Sequence, residues 1–268
     1  MILSDFHTHT TFGDGKNTAE EMLCHAISMG LSEFGFAEHA CGDNDYSMTK
    51  EGTLLYRKEI ARLKEAYGDK IHILCGIELD ADACDSAEHY DYAIASVHHM
   101  TVGGKDYAVD LSPQETSRMI REGFGGNTDS CAEAYYEKLT DFALQSGADI
   151  VGHFDLLTKF RDVGVPFDED SPRYRAAWNA ALSALHDKIV FEINTGAISR
   201  GYRTTPYPAP PILKTLGKLG GRVVLSGDAH SCAAICAHFD KAEVLLRECG
   251  FQKAGFTDRE GHAHKQIL

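Results

Sequence analysis

Seven short apolar runs punctuate the 268-residue chain, and most stop on residues that can bind a metal. Met1-Ile2-Leu3 leads to His7 and His9, Leu31–Ala37 to Glu38-His39, and Ile71–Ile77 to Glu78. Tyr92–Val97 leads to His98-His99, Ala148–Gly152 to His153, and Arg222–Ser226 to Asp228 and His230; Lys188–Ile193 ends instead on Asn194-Thr195. In an extended strand, residues two apart face the same way, so His7 and His9 present two imidazoles side by side. The segments between runs are long enough for crossovers, which favours parallel strands. In barrels of alternating strands and helices, functional groups gather at the C-terminal strand ends. An open doubly wound sheet is the alternative, but ligands from the first run to the last converge only if the sheet closes. The expected fold is a distorted (β/α)7 barrel, one domain spanning residues 1–268.

The intervening segments read as helices. Asn17-Thr18 precedes Ala19-Glu20-Glu21 as a cap, with Met22, Leu23, Ala26 and Ile27 on one face. Further helices are expected over 54–67, 132–146, 172–186, 206–219 and 242–249. The glycine-rich stretch 101–130 is long enough to cover a site. His262 and His264 form a second His-x-His near the C-terminus and are expected in an exposed tail.

A formal charge of −14 argues against a nucleic-acid surface, which needs a basic stripe. No apolar run approaches the roughly 20 residues that span a bilayer, and no signal peptide is apparent. The eight cysteines contain no Cys-x-x-Cys pair, and Cys232 and Cys236 are spaced for one helix face. Reduced thiols in a cytoplasmic protein are the expectation.

The candidate metal ligands are His7, His9, Asp14, His39, Glu78, His98, His153, Asp228 and His230. Each alone has an ordinary reading as a capping, ion-pairing or solvent-facing group. Nine at six strand ends point to one shared site. Imidazole with carboxylate and no thiolate suits zinc, manganese or iron, and a carboxylate such as Glu78 can bridge two ions. Lys159, Arg161 and Arg200 follow two of the strand ends and are candidate clamps for a phosphate dianion. His99 and Asp155, each beside a candidate ligand, are either proton carriers or groups that orient the ligands.

Taken in order, these motifs resemble the PHP (polymerase and histidinol phosphatase) family, and more narrowly its histidinol-phosphate phosphatases. The resemblance runs through His7-Thr8-His9, Phe36-Ala37-Glu38-His39, Gly76-Ile77-Glu78 and Ser96-Val97-His98. It continues through Gly152-His153-Phe154-Asp155, Glu192-Ile193-Asn194-Thr195 and Ser226-Gly227-Asp228-Ala229-His230. It implies two to three divalent ions: His7, His9, Glu78 and Asp228 on the first, Glu78, His98 and His153 on the second, His39 and His230 on the third. The third ion's remaining ligand falls in Thr11-Phe12-Gly13-Asp14-Gly15. Several histidinol-phosphate phosphatases that it resembles have a histidine there, whereas other PHP phosphoesterases use an aspartate in an Asp-Gly pair, so Asp14 is the expected ligand.

The implied activity is hydrolysis of a small phosphoester, first L-histidinol phosphate, with a hydroxide held by Glu78, His98 and Asp228 as nucleophile. Arg200, with Lys159 or Arg161, would bind the phosphate. A nucleotide or sugar phosphate is the alternative substrate, and a non-catalytic metal-binding module the alternative class. The amidohydrolase barrel also opens on His-x-His but brings a bridging lysine, where this chain has Glu78 and His98.

Overall fold

The structure, a computed structural model, describes residues 4–42, 44–82, 85–165 and 167–267. β1 (Ser4–Asp5) is followed by α1 (Ala19–Ser28), β2 (Glu33–His39), α2 (Lys50–Tyr67), β3 (His72–Asp80) and β4 (Tyr92–Ser96). A hairpin of β5 (His99–Val102) and β6 (Lys105–Ala108) precedes α3 (Pro113–Arg118), α4 (Thr128–Gln145), β7 (Ile150–Val151), α5 (Pro172–Leu185) and β8 (Val190–Asn194). The chain continues through α6 (Gly196–Ser199), α7 (Pro210–Lys218), β9 (Arg222–Ser226) and α8 (Phe239–Glu248), and closes with a hairpin of β10 (Lys253–Thr257) and β11 (Ala263–Ile267). The run Met1–Leu3 lies outside the described residues.

Seven strands pair in the order β1-β2-β3-β4-β7-β8-β9, every neighbour parallel. The last strand returns to the first beyond their ends, where Thr8 bridges Ala229: His9 N donates to Ala229 O at 2.9 Å and Ala229 N to His7 O at 3.0 Å. Lower down, Gln266 spans the seam. Its amide nitrogen donates to Leu225 O (2.8 Å) and Ser4 O (3.3 Å), and its oxygen accepts from Leu225 N (2.7 Å). The result is the expected distorted (β/α)7 barrel, nearly closed.

Period-two alternation explains how the interior divides into an apolar floor and a polar top. Leu74 precedes Glu78 by four residues, Ile94 precedes Ser96 by two, Val190 precedes Glu192, and Val224 precedes Ser226. The lower members pack with Phe6, Ala37, Tyr92, Ile150 and Phe256 in one buried cluster. The helices cover the outside. In α1 the Thr18 hydroxyl and the Glu21 carboxylate form a capping box, and Ala19, Met22, Leu23 and Ala26 are buried at helical spacing.

Several expectations are corrected. His262 is exposed as expected, but the pair does not lie in a tail: Ala263–Ile267 pairs antiparallel with Lys253–Thr257 across a turn containing Gly261 at φ 89°, and His264 is buried. The hairpin gains its stability from lying against β9 and Phe6, a tertiary contact with no local signature. Cys232 and Cys236 share no helix: Cys232–Ala234 is a single 3-10 turn and Cys236 has φ 54°. Segment 101–130 does border the site as expected, through Ala108, Asp110 and Leu111, and folds as the end of β5, β6, α3, a helical turn over Met119–Gly123 and the start of α4, whose first turn is capped by Asn127. Among the described cysteines, six are free thiols as expected, but Cys41 is disulfide-bonded. Among the described residues, no helix is long and apolar enough to cross a membrane.

Candidate metal centre

Glu78 sits at the polar end of the barrel with five histidines around its carboxylate. Its Oε1 is 2.9 Å from His153 Nε2 and 3.5 Å from His98 Nε2, and accepts from Ser96 Oγ at 2.6 Å. Its Oε2 is 2.9 Å from His39 Nδ1, 3.3 Å from His7 Nε2 and 3.8 Å from His9 Nε2. Asp228 Oδ1 lies 3.4 Å from both His9 Nε2 and His230 Nδ1. Asp14 Oδ1 lies 3.2 Å from His230 Nε2 and 3.9 Å from His39 Nε2. All nine expected ligand residues thus meet in one place, contributed by six strand ends and the loop carrying Asp14.

The backbone is bent to achieve this. Asp228 has φ 48°, in the left-handed region that costs an ordinary residue roughly 1–2 kcal/mol. Gly196 permits the close approach, since a Cβ there would stand 2.8 Å from Asp228 Oδ2. Three sets of potential ligand atoms each lie within 4.8 Å of one another: His9, Asp14, His39 and His230; His7, His9 and Glu78; and His39, Glu78 and His98.

The donor set fits divalent cations. His7 Nε2, both ring nitrogens of His9, Glu78 Oε2, Glu38 Oε2 and His153 Nδ1 are buried with no hydrogen-bond partner. Each such atom left unmet costs about 1–3 kcal/mol. Burial, with the charges of His230 and His39, pushes the His9 pKa down to about 3, so its imidazole is neutral with a lone pair to give. Burial opposes charge on Glu78, yet His7, His39 and His98 hold it well below the usual carboxylate range. Ring nitrogens and carboxylate oxygens that converge in this way, several of them buried without a partner, fit a cation site.

The centre opens on a cavity of about 500 Å³. Arg200 lines it, with Nη2 2.9 Å from Asp228 Oδ2 and Nη1 3.1 Å from Asp228 O. Lys159 lines it too, its Nζ 2.8 Å from Asp110 Oδ2. Arg161 does not: Glu169, Asp162 and Thr205 hold it outside. His99 lines the cavity and its Nδ1 is 3.1 Å from the Tyr46 hydroxyl. Asp155 is instead committed to a fully buried pair with Arg203 at 3.1 Å and to the Ala209 amide, which removes it as a proton carrier. A second cavity of about 760 Å³ shares Asn44 and His99 with the first and carries Asp80, Asp82 and Asp106.

A PHP domain model matches residues 5–196 of this sequence. The chain belongs to the PHP family. It is 27% identical to the "Probable histidinol-phosphatase" of Schizosaccharomyces pombe over 93% of this chain and 87% of that protein. It is 26% identical to the histidinol-phosphatase of Lactococcus lactis, over 93% and 92% of the two chains. A Lactococcus lactis histidinol phosphate phosphatase, solved with zinc, L-histidinol and phosphate, superposes with TM-score 0.72 at 23% identity, over 98% of each chain. A candidate histidinol phosphatase from Listeria monocytogenes superposes with TM-score 0.78 at 21% identity, over 89% of this chain and 99% of its own. The PHP barrel is therefore shared across these chains.

Sequence reasoning had given no role to Asp80 or Glu192. Asp80 Oδ2 is 3.2 Å from His98 Nδ1, and Glu192 Oε1 is 2.5 Å from His7 Nδ1. The available signal was a lone acid in the middle of an apolar strand, Val190-Phe191-Glu192-Ile193, buried on both faces.

Proposed function

We propose that this chain is a metal-dependent phosphomonoesterase that hydrolyses L-histidinol phosphate to L-histidinol and phosphate. One observation carries the reading: buried, unpartnered imidazole and carboxylate atoms face a cavity whose wall also holds Arg200 and Lys159. Relatives named histidinol-phosphatases along nearly the whole chain support the substrate.

His7, His9, Glu78 and Asp228 would hold one ion, Glu78, His98 and His153 a second, and Asp14, His39 and His230 a third; zinc, manganese and iron all suit these donors. Divalent ions there would withdraw charge from a bound phosphate and make hydroxide available at neutral pH. The chain's own side chains do the rest. Arg200 and Lys159 bind and orient the phosphate oxygens by charge-assisted hydrogen bonds. Glu78, pinned by Ser96, keeps its carboxylate aimed at the shared space between the histidines. His99, beside Tyr46, is placed at the cavity wall to give a proton to the departing alkoxide.

The test is steady-state hydrolysis by metal-stripped protein reloaded with zinc, manganese or iron. Histidinol phosphate, nucleoside monophosphates and sugar phosphates form the panel. A strong kcat/KM preference for histidinol phosphate is expected. A flat profile or nucleotide preference would overturn the substrate and keep the phosphoesterase, an outcome that Asp14, in place of a histidine, makes worth testing.

A further inference from the structure

β8 is the one strand of the barrel whose end supplies no candidate ligand, yet its inward-facing residues are polar where the other strands carry ligands. Glu192 and Asn194 are fully buried. Both oxygens of Glu192 are in use: Oε1 meets His7 Nδ1 at 2.5 Å, and Oε2 accepts from His153 N at 2.8 Å and Asn194 Nδ2 at 2.9 Å. Asn194 Nδ2 in turn stands 3.3 Å from Asp228 Oδ2, and Asn194 Oδ1 accepts from Gly196 N at 2.9 Å. One strand therefore touches three of the nine candidate ligands, each from behind.

We propose that Glu192 is a positioning residue for the metal centre, setting the tautomer of His7 and the placement of His153; this rests on the metal-centre reading above. The carboxylate accepts only, so the hydrogen in its contact with His7 must sit on Nδ1. The lone pair is then on Nε2, which points at Glu78 Oε2 3.3 Å away and has no hydrogen-bond partner. The other tautomer would set the Nδ1 lone pair against Glu192 Oε1 at 2.5 Å, a much closer contact than the 3.3 Å between Nε2 and Glu78 Oε2. The second oxygen fixes the His153 backbone where the chain leaves β7. Gly152, just before it, leaves room for the neighbouring strand, because a Cβ there would lie 2.6 Å from Ser96 Oγ and 2.8 Å from Ile94 Cγ2. Outer carboxylates of this kind raise ligand basicity and lock ring orientation.

Glu192→Gln is the informative variant. Its amide can still accept from His7 with one end, but its NH2 then faces the N–H donors of His153 and Asn194. Zinc affinity would be measured for stripped wild-type and E192Q protein by competition with a chromophoric chelator. The expected result is zinc binding weakened roughly 10–100-fold in E192Q. Unchanged zinc affinity in a folded E192Q protein would overturn the proposal. Failure of the wild type itself to bind zinc would sink the metal-centre reading, a separate and recognisable result. If E192Q does not fold, nitrogen-15 spectra of the zinc-loaded wild type decide: a proton on His7 Nδ1 supports the proposal, and a proton on Nε2 refutes it.

Discussion

The ring of Tyr92 fills the space that a side chain at residue 76 would need: a Cβ on Gly76 would come within 2.3 Å of Tyr92 Cζ. The ring is also anchored, since its hydroxyl donates to Phe6 O at 2.5 Å and Phe36 O at 3.1 Å. Tyr92 thus forms the floor on which the polar layer stands, and Glu78 follows Gly76 by two residues on the same face of β3. Gly76→Ala should destabilise the fold by about 1–3 kcal/mol through overpacking. A fall in the urea midpoint with an unchanged m-value would show it; an unchanged midpoint would contradict this account of the floor.

Among the described residues, Glu78 is the one carboxylate near five histidines, so its removal should do more than any outer change. Glu78→Gln is expected to lower kcat/KM by well beyond the roughly 10–100-fold typical of outer-shell substitutions, and to reduce bound metal per chain. Elemental analysis beside kinetics checks both, and full metal occupancy in E78Q would count against a bridging role.

The three cations separate by location. Arg200 and Lys159 line the cavity, whereas Arg161 is held by Glu169. Arg200→Ala and Lys159→Ala should each lower kcat/KM by about 10²–10³, the scale for losing one charge-stabilising donor. Arg161→Ala should stay close to wild type. The reverse order would mean that the phosphate enters from another side.

His264 gives the C-terminal hairpin its own pH dependence. Burial opposes its charge, but hydrogen bonds to Glu33 (2.9 Å) and Asp258 (3.0 Å) raise its pKa above 6.5. Burial also opposes charge on Asp258, whose hydrogen bonds to His264 and the His262 amide lower its pKa below 3.8. The histidine's contribution is fully present below 6.5 and fades as pH rises through its raised value. The aspartate's is present above 3.8 and fades as pH falls through its lowered value. The hairpin should therefore be firmest between about 4 and 6.5. Amide exchange in 253–267 should quicken, beyond its intrinsic pH dependence, from pH 6.5 upward in the wild type. His264→Gln should remove that extra rise.

Metal should also act as a stabiliser. Ions that bind the folded chain alone add RT ln(1 + [L]/Kd), about 2.7 kcal/mol at one hundred times Kd. Stripping with a chelator should lower the melting temperature, and zinc should restore it. A melting temperature indifferent to chelation would argue against ions held by these residues.

Local pattern alone determined much of this protein. Strand positions, the parallel order and the placement of polar residues at strand ends follow from hydrophobic runs and their spacing, because alternation and crossover length are properties of nearby residues. That is why the expected ligands His7 through His230 could be named before any of them was seen to meet. Strand bounds shifted modestly: Glu78 ends up within β3 rather than just past it, since hydrogen bonding to neighbours, not hydrophobicity, decides where a strand stops. Tertiary structure alone decided the rest. Lys159 and Arg161 are two residues apart and chemically alike, and only the path of the loop sends one into the cavity and the other to Glu169. Glu192 gains its meaning from His7, 185 positions away. His264 is buried because the hairpin folds back on Phe6 and β9, a contact between the two ends of the chain that no local window contains.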